Sequence, residues 1–200
     1  MSSRIILAST SASRKALLKA AGVPLNVERP GVDEERLKRK LRQFGHHDGS
    51  GMAMRLAAAK AISVSEQKSG AYVVGADQVL LFEGTVIDKP KSLAEARRQL
   101  KLLRGHTHRL VTAAAVARHG RVVWRRRETA RLVMRNFSDD FLKSYLEAEK
   151  AHVTQTAGGY RLEALGAQLF QSVRGDYFGI LGLPLIPLLE FLRREGALTV

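Results

Sequence analysis

The sequence predicts a mixed α/β or α+β fold, because apolar strand-like runs and helix-like segments alternate along its 200 residues. Two long strand-like runs, residues 108–118 and 121–135, are joined at His119 and Gly120 and should pair antiparallel. Such a pair is not expected in a purely parallel, doubly wound sheet. The length suits one well-filled domain or two small lobes that share a sheet.

The remaining elements follow from apolar periodicity and from residues typical of caps and turns. Further strands are predicted at residues 4–8, 25–28, 73–81 and 167–173, with a hairpin closing at Glu83 and Gly84. Helices are predicted at residues 13–21, 52–68, 93–103, 139–148 and 187–194. Cap-type serines precede several of these helices, and Gly22 is a plausible stop for the first one. No repeat or low-complexity tract interrupts the pattern.

The charge balance is strongly basic, with 33 Lys and Arg against 19 Asp and Glu. A formal charge of +14 attracts polyanions such as nucleic acid, anionic membrane or phosphorylated small molecules. Two basic runs, residues 36–42 and 125–127, are predicted to lie on solvated faces. No aromatic residue interleaves with either run, which disfavours a stacking platform for single-stranded nucleic acid.

The chain contains no cysteine, which excludes disulfides, thiolate zinc sites and cysteine nucleophiles. The first apolar run ends at Ser9 and is too short for a signal sequence or a membrane span. We therefore expect a cytoplasmic protein that does not act at a membrane. The adjacent His46 and His47 are predicted to lie in a loop.

The apolar run around Asp77 and Gln78 is the most informative segment for function. A buried strand rarely carries an acid unless the acid is paired, metal-bound or catalytic, because an isolated buried charge is costly. Asp77 is therefore a functional candidate, although capping a bulge or pairing with an arginine would also explain it.

Three further groups of polar residues lie at the ends of apolar elements, where clefts form. They are the turn with Ser9 and Arg14, the acids Asp33 and Glu34 after the second strand, and the amines of Lys60 and Lys89. A helix N-terminus with hydroxyls and an arginine can bind an anion, and lysines can bind phosphate oxygens. Each group alone also fits a structural role, such as helix capping or lysines reaching the surface. Together they are the parts needed for metal-assisted attack on a phosphoanhydride.

An ordered set of motifs resembles the Maf family of nucleoside triphosphate pyrophosphatases over almost the whole chain. The motifs are LASTS (7–11) with Arg14, VDE (32–34), RLA (55–57) with Lys60, GADQV (75–79), Lys89 before Pro90, LRG (103–105), GGY (158–160) and GLP (182–184). One such motif would be a weak signal, whereas their ordered combination is specific.

The resemblance implies one domain over residues 1–200, with an elongated mixed sheet, flanking helices and a central cleft between two lobes, similar to the inosine triphosphate pyrophosphatases. It implies hydrolysis of a nucleoside triphosphate to the monophosphate and pyrophosphate, a house-cleaning reaction of nucleotide metabolism that needs Mg²⁺ or Mn²⁺. By that resemblance Asp77 is the catalytic acid/base. The same resemblance implies that Glu34, with Asp77, binds the metal, and that the phosphates contact Ser9, Arg14, Lys60 and Lys89.

Three positions bear on the choice of base. Ser13 stands where the family usually has an arginine or tryptophan, and Gln78 with Glu163 resembles the pair in the branch acting on 7-methyl-GTP. A carboxylate suits a cationic methylated guanine, but the missing tryptophan removes the aromatic face that such a cation prefers. A 7-methyl-GTP-like preference is thus left open, and dTTP or UTP is less expected.

The competing hypothesis is a regulator of cell division that binds nucleic acid or a protein partner without turnover. The retained acids Glu34 and Asp77 speak against it, because they would repel phosphate unless a metal intervened. The expected partner is therefore the triphosphate substrate, and nucleic acid is not expected. A homodimer is left open by the apolar run 183–192.

Overall fold

The computed structural model describes residues 5–44, 49–150 and 152–199, and its class is the predicted mixed α/β. His46 and His47, predicted to lie in a loop, fall outside the described residues. The strands are β1 (Ile5–Ala8), β2 (Leu25–Glu28), β3 (Tyr72–Phe82), β4 (Thr85–Ile87), β5 (Thr107–Arg118), β6 (Arg121–Met134) and β7 (Phe170–Arg174). The helices are α1 (Ala12–Ala20), α2 (Glu34–Gln43), α3 (Gly49–Ser65), α4 (Leu93–Leu103), α5 (Asp139–Ala148), α6 (Tyr177–Ile180) and α7 (Leu185–Arg194).

All seven strands of the described chain belong to one sheet with the order β2-β1-β3-β5-β6-β7, and β4 pairs with β3. Strand β1 runs parallel to both β2 and β3, whereas β3, β5, β6 and β7 pair antiparallel. The predicted hairpins are present, since Glu83 and Gly84, and likewise His119 and Gly120, have the positive φ angles of tight turns. The division into two lobes stays a prediction.

The apolar core is formed by helices that pack on this sheet. One cluster packs α4 and α5 against β5 and β6 around Leu100, Leu132 and Tyr145. Another packs α1 and α7 against β1 and β3, and it buries Leu183, Leu188 and Phe191. Most of the C-terminal apolar run is therefore core, while Ile186 stays 60% exposed.

Three local predictions differ from the structure. Residues 165–169 form a 3-10 turn, so β7 begins only at Phe170. Residues 36–42 belong to α2, which begins at Glu34, although no helix was predicted there. The short helix α6 was not predicted, because a four-residue helix shows no periodicity in the sequence. No helix of the described segments is long and apolar enough to cross a bilayer.

Candidate active site

A buried ammonium between two carboxylates forms the centre of the candidate site. Lys60 Nζ lies 2.7 Å from Asp77 Oδ1 and 3.0 Å from Glu34 Oε2. The Lys60 and Asp77 side chains are only 6% and 10% exposed, whereas Glu34 remains 43% exposed. Lys60 therefore does not extend to the surface. The acids at positions 34 and 77 share one crevice.

Close packing of α3 on β3 brings Lys60 to Asp77. A Cβ on Gly75 would lie 2.2 Å from the Ala57 carbonyl oxygen, so only glycine allows the helix to approach here. Ala57 and Ala61 add little bulk at this contact, and Asp77 follows Gly75 on the same face of the strand. The small residues thus set the distance between the lysine and the acid.

The start of α2 places the second carboxylate. Asp33 is the N-cap, and its Oδ1 accepts a hydrogen bond from the Arg36 amide at 2.9 Å. Glu34 is the first helical residue, where its negative charge interacts favourably with the helix dipole. Of the two neighbouring acids, Asp33 caps the helix and Glu34 points to Lys60.

The serine-rich turn after β1 is built around Arg14. Its Nη1 donates to the Ala76 carbonyl and its Nε to the Gly182 carbonyl, both at 2.9 Å. Ser9 Oγ, which is buried, accepts bonds from Arg14 Nη1 at 3.4 Å and from the Ser11 amide at 3.2 Å. Burial lowers the pKa of Arg14, while Asp77 and Glu34 partly oppose this. Arg14 therefore ties three segments together beside the acids.

Lys89 reaches the same crevice from the end of the β3–β4 hairpin. The residue as a whole is exposed, yet the protein atoms around its ammonium lower the pKa of Lys89. Arg14 and Lys60 lower it further by repulsion, and Asp77 and Glu34 oppose them. The structure thus gathers Arg14, Lys60 and Lys89 near two carboxylates.

The three positions linked to base choice lie on one concavity. Its lining includes Ser13, Gln78 and Glu163, together with Tyr160, Arg161 and Leu181. Gln78 follows Asp77 along β3, so the two side chains leave opposite faces of the strand, and Gln78 faces the concavity. These positions are separated by up to 150 residues of chain, so only the folded structure brings them together.

Sequence reasoning missed the polar residues that fix this concavity. Thr112 donates to the Gly179 carbonyl at 2.7 Å and lies 2.8 Å from Gln78 Nε2. Gln78 Nε2 also donates to the carbonyls of Gly179 at 3.1 Å and Ile180 at 3.0 Å. A threonine within the alanine-rich run of β5 was the available signal, because a buried hydroxyl needs partners.

A buried histidine contacts Tyr160, one of the residues that line this concavity. His108 Nε2 lies 2.7 Å from the Tyr160 hydroxyl, and both residues are at least 95% buried. Burial lowers the pKa of His108 to about 4 and raises that of Tyr160 well above its usual value. His108 is therefore neutral near pH 7 and orients the tyrosine.

The carboxylates fit a divalent cation of the hard type. Asp77 and Glu34 already hold a cationic group, the Lys60 ammonium, between their oxygens. No cluster of three or more metal-binding side chains occurs among the described residues. Mg²⁺ commonly uses only one or two carboxylates and takes its other ligands from phosphate and water. The pair thus suits a metal that arrives with a phosphorylated substrate.

Sheet, crevice and concavity together define a mixed α/β protein with a cationic, acid-containing cleft suited to a phosphorylated ligand. A sequence model described as "Maf-like protein" matches residues 4–195, and the chain belongs to that family. A protein from Caulobacter vibrioides is 48% identical over 198 residues, which cover 98% of each chain. One from Rhodospirillum rubrum is 45% identical over 97% of this chain and 96% of its own. Both relatives are named nucleoside triphosphate pyrophosphatase.

A solved structure of a HAM1 protein from Coxiella burnetii matches with a TM-score of 0.47 and 14% identity. The match covers 68% of this chain and 74% of that chain.

Proposed function

We propose that this protein is a hydrolase of acid anhydrides that converts a nucleoside triphosphate and water into the monophosphate and pyrophosphate. Its similarity to relatives with that name supports the reaction class. The convergence of Glu34, Asp77 and Lys60 within 3.0 Å is the observation that carries the proposal. In a protein that only bound phosphate, two acids at this place would lower the affinity for the anion.

Each residue then has a role that its position allows. Asp77 accepts the proton of the attacking water as the oxygen–phosphorus bond forms and the bond between the α- and β-phosphates breaks. Lys60 and Lys89 balance the charge of the triphosphate, with Lys60 also holding Asp77 in place. Arg14 and Ser9 shape the turn beside the phosphates, because most of their bonds go to the backbone.

A divalent metal completes the proposed site. Glu34 and Asp77 would hold Mg²⁺ or Mn²⁺, which supplies charge neutralisation of the phosphate oxygens when it is bound. Because Glu34 is half-open to solvent, it can change partners more easily than Asp77. The absence of cysteine is compatible with the cytoplasm, where we place the reaction.

We further propose that the base is of the guanine type, with 7-methyl-GTP as one candidate. The amide nitrogen of Gln78 is committed to three oxygens, which leaves its Oε1 as an acceptor. Glu163 adds a carboxylate to the same concavity. Two acceptors suit a base edge rich in N–H donors, and the negative charge also suits a cationic ring.

A substrate panel with separate detection of pyrophosphate and phosphate tests both proposals. GTP, 7-methyl-GTP, dTTP and UTP should release pyrophosphate without phosphate, and kcat/KM should be highest for the guanine nucleotides. E163Q should lower kcat/KM for 7-methyl-GTP more than for GTP. Phosphate as the first product would refute the reaction, and preference for UTP would refute the base assignment.

A further inference from the structure

One face of α2 carries three charged residues that form ion pairs with residues outside the helix. Glu34, Lys38 and Arg42 are spaced by four residues and therefore lie in a row along the helix. The sequence indicated that the basic run 36–42 is solvated. The structure instead leaves Arg39 and Lys40 exposed and turns Lys38 inward, with a side chain only 15% exposed.

Lys38 and Arg42 converge on a single carboxylate, that of Asp88. Lys38 Nζ lies 2.7 Å from Asp88 Oδ1, and an Arg42 guanidinium nitrogen lies 3.1 Å from Oδ2. The backbone of Asp88 is held as well, because Gln99 of α4 donates to its carbonyl at 3.0 Å. Burial alone would raise the pKa of Asp88, but the two cations hold it below its usual value. Asp88 is thus fixed from two helices.

The residue after this fixed point is Lys89. Its ammonium is repelled by Arg14 and Lys60 and attracted by Asp77 and Glu34, so its place among these four charges depends on where the backbone holds it. We propose that Asp88, Lys38 and Arg42 are positioning residues that hold the Lys89 segment at the crevice, ready for the phosphates of the substrate. The inference rests on the proposed function and assigns a task to a basic run that the reaction itself does not use.

The same helix also places Glu34 against Lys60. Helix α2 therefore connects the two sides of the crevice: its first residue contacts the acid–amine centre, and its later turns hold the loop of Lys89. Leu37 and Leu41 pack against Met52 and Leu56, and the ion pairs add polar contacts at both ends of the helix.

Titration of inorganic pyrophosphate by calorimetry, in Mg²⁺ buffer, tests the positioning directly. D88N should bind pyrophosphate roughly tenfold more weakly than the unaltered protein, because a displaced lysine loses much of its contact. The double variant K38A/R42A should show a similar loss. R39A/K40A removes the same charge from the same helix and should leave the affinity unchanged. D88E, which keeps the carboxylate, should recover most of the affinity.

Steady-state kinetics separates positioning from mere stability. D88N should raise KM roughly tenfold with little change in kcat, since phosphate contacts serve the bound substrate and the transition state alike. D139N removes an aspartate that is also held by a lysine and an arginine, but at the start of α5 instead of beside Lys89, and should change neither constant.

Equal pyrophosphate affinity in D88N and the unaltered protein would overturn the inference, as would no measurable affinity in the unaltered protein. A loss in R39A/K40A equal to that in K38A/R42A would also overturn it, because general charge would then explain the effect. Pyrophosphate binding that depends on Asp88 in a protein without triphosphate turnover would refute the proposed function and leave the positioning role standing.

Discussion

Two clusters of charged side chains have the same contact distances in opposite surroundings. In the cleft, Lys60 lies 2.7 Å from Asp77 and also contacts Glu34. At the start of α5, Asp139 lies 2.7 Å from both Lys101 and Arg104. The Asp77 side chain is 10% exposed and that of Asp139 is 53% exposed. The first cluster has an excess of acid, and the second has an excess of base.

Burial, and not distance, separates the roles of the two clusters. Water and salt screen the exposed cluster, so its ion pairs contribute little to stability. In the cleft, removing one partner leaves a charge that water hardly reaches. The comparison indicates that function should depend on the buried cluster and tolerate changes in the exposed one.

The largest expected effect is the loss of activity in D77N. The amide cannot accept the proton of water, so pyrophosphate release should fall by at least about a hundredfold. D139N should retain the activity of the unaltered protein. A D77N variant with full turnover would show that Asp77 is not the base.

The next effect concerns stability when the central cation is removed. K60M leaves Asp77 and Glu34 facing each other, so the free energy of unfolding should fall by roughly 3 kcal/mol. K101M should have a much smaller effect, because Asp139 keeps Arg104 and water. Urea unfolding measures both free energies, provided that the dependence of the unfolding free energy on urea concentration is the same in all variants. Equal losses in the two variants would contradict the role given to burial.

His108 extends the comparison to pH. The unfolded chain binds its proton at the ordinary pKa of 6.5, whereas the folded protein binds it only near a pKa of about 4. Acid therefore favours unfolding, and His108 should reduce the free energy of unfolding by roughly 3 kcal/mol as pH falls through that window.

Urea unfolding between pH 7 and pH 4 should reveal this dependence on His108. H108F should lose that part of the pH dependence, while Y160F, which keeps the histidine, should retain at least some of it. A pH profile unchanged in H108F would show that other groups cause the dependence.

The smallest effect concerns the alkaline limit of activity. The pKa of Lys89 lies below the usual lysine value of 10.5, so its positive charge is lost at a lower pH than normal. The value of kcat/KM should therefore fall in alkaline solution at a lower pH than an ordinary lysine would cause, and K89R should shift this fall to higher pH because arginine stays charged. Identical pH profiles of kcat/KM for K89R and the unaltered protein would exclude Lys89 as the titrating phosphate contact.

Local patterns were sufficient for most of the fold. Strand β2 was predicted with its observed bounds, and the turns at Glu83 and His119 were correctly placed by their glycine neighbours. Ser92 and Ser138 cap α4 and α5 as expected. These features depend on neighbouring residues, so the sequence displays them directly. The 3-10 turn before β7 was mistaken for strand, because short apolar runs do not distinguish the two.

The sequence by itself determined the residue types of the candidate site and the segments that carry them, because an acid in an apolar strand is costly wherever the chain folds. Only the tertiary structure decided which charges meet. Asp33 and Glu34 look equivalent in sequence, yet one caps α2 and the other reaches Lys60. Lys38 and Lys40 look equivalent, yet only Lys38 contacts Asp88. Such choices depend on helix phase and on the close approach that Gly75 allows, which arise only when distant segments pack.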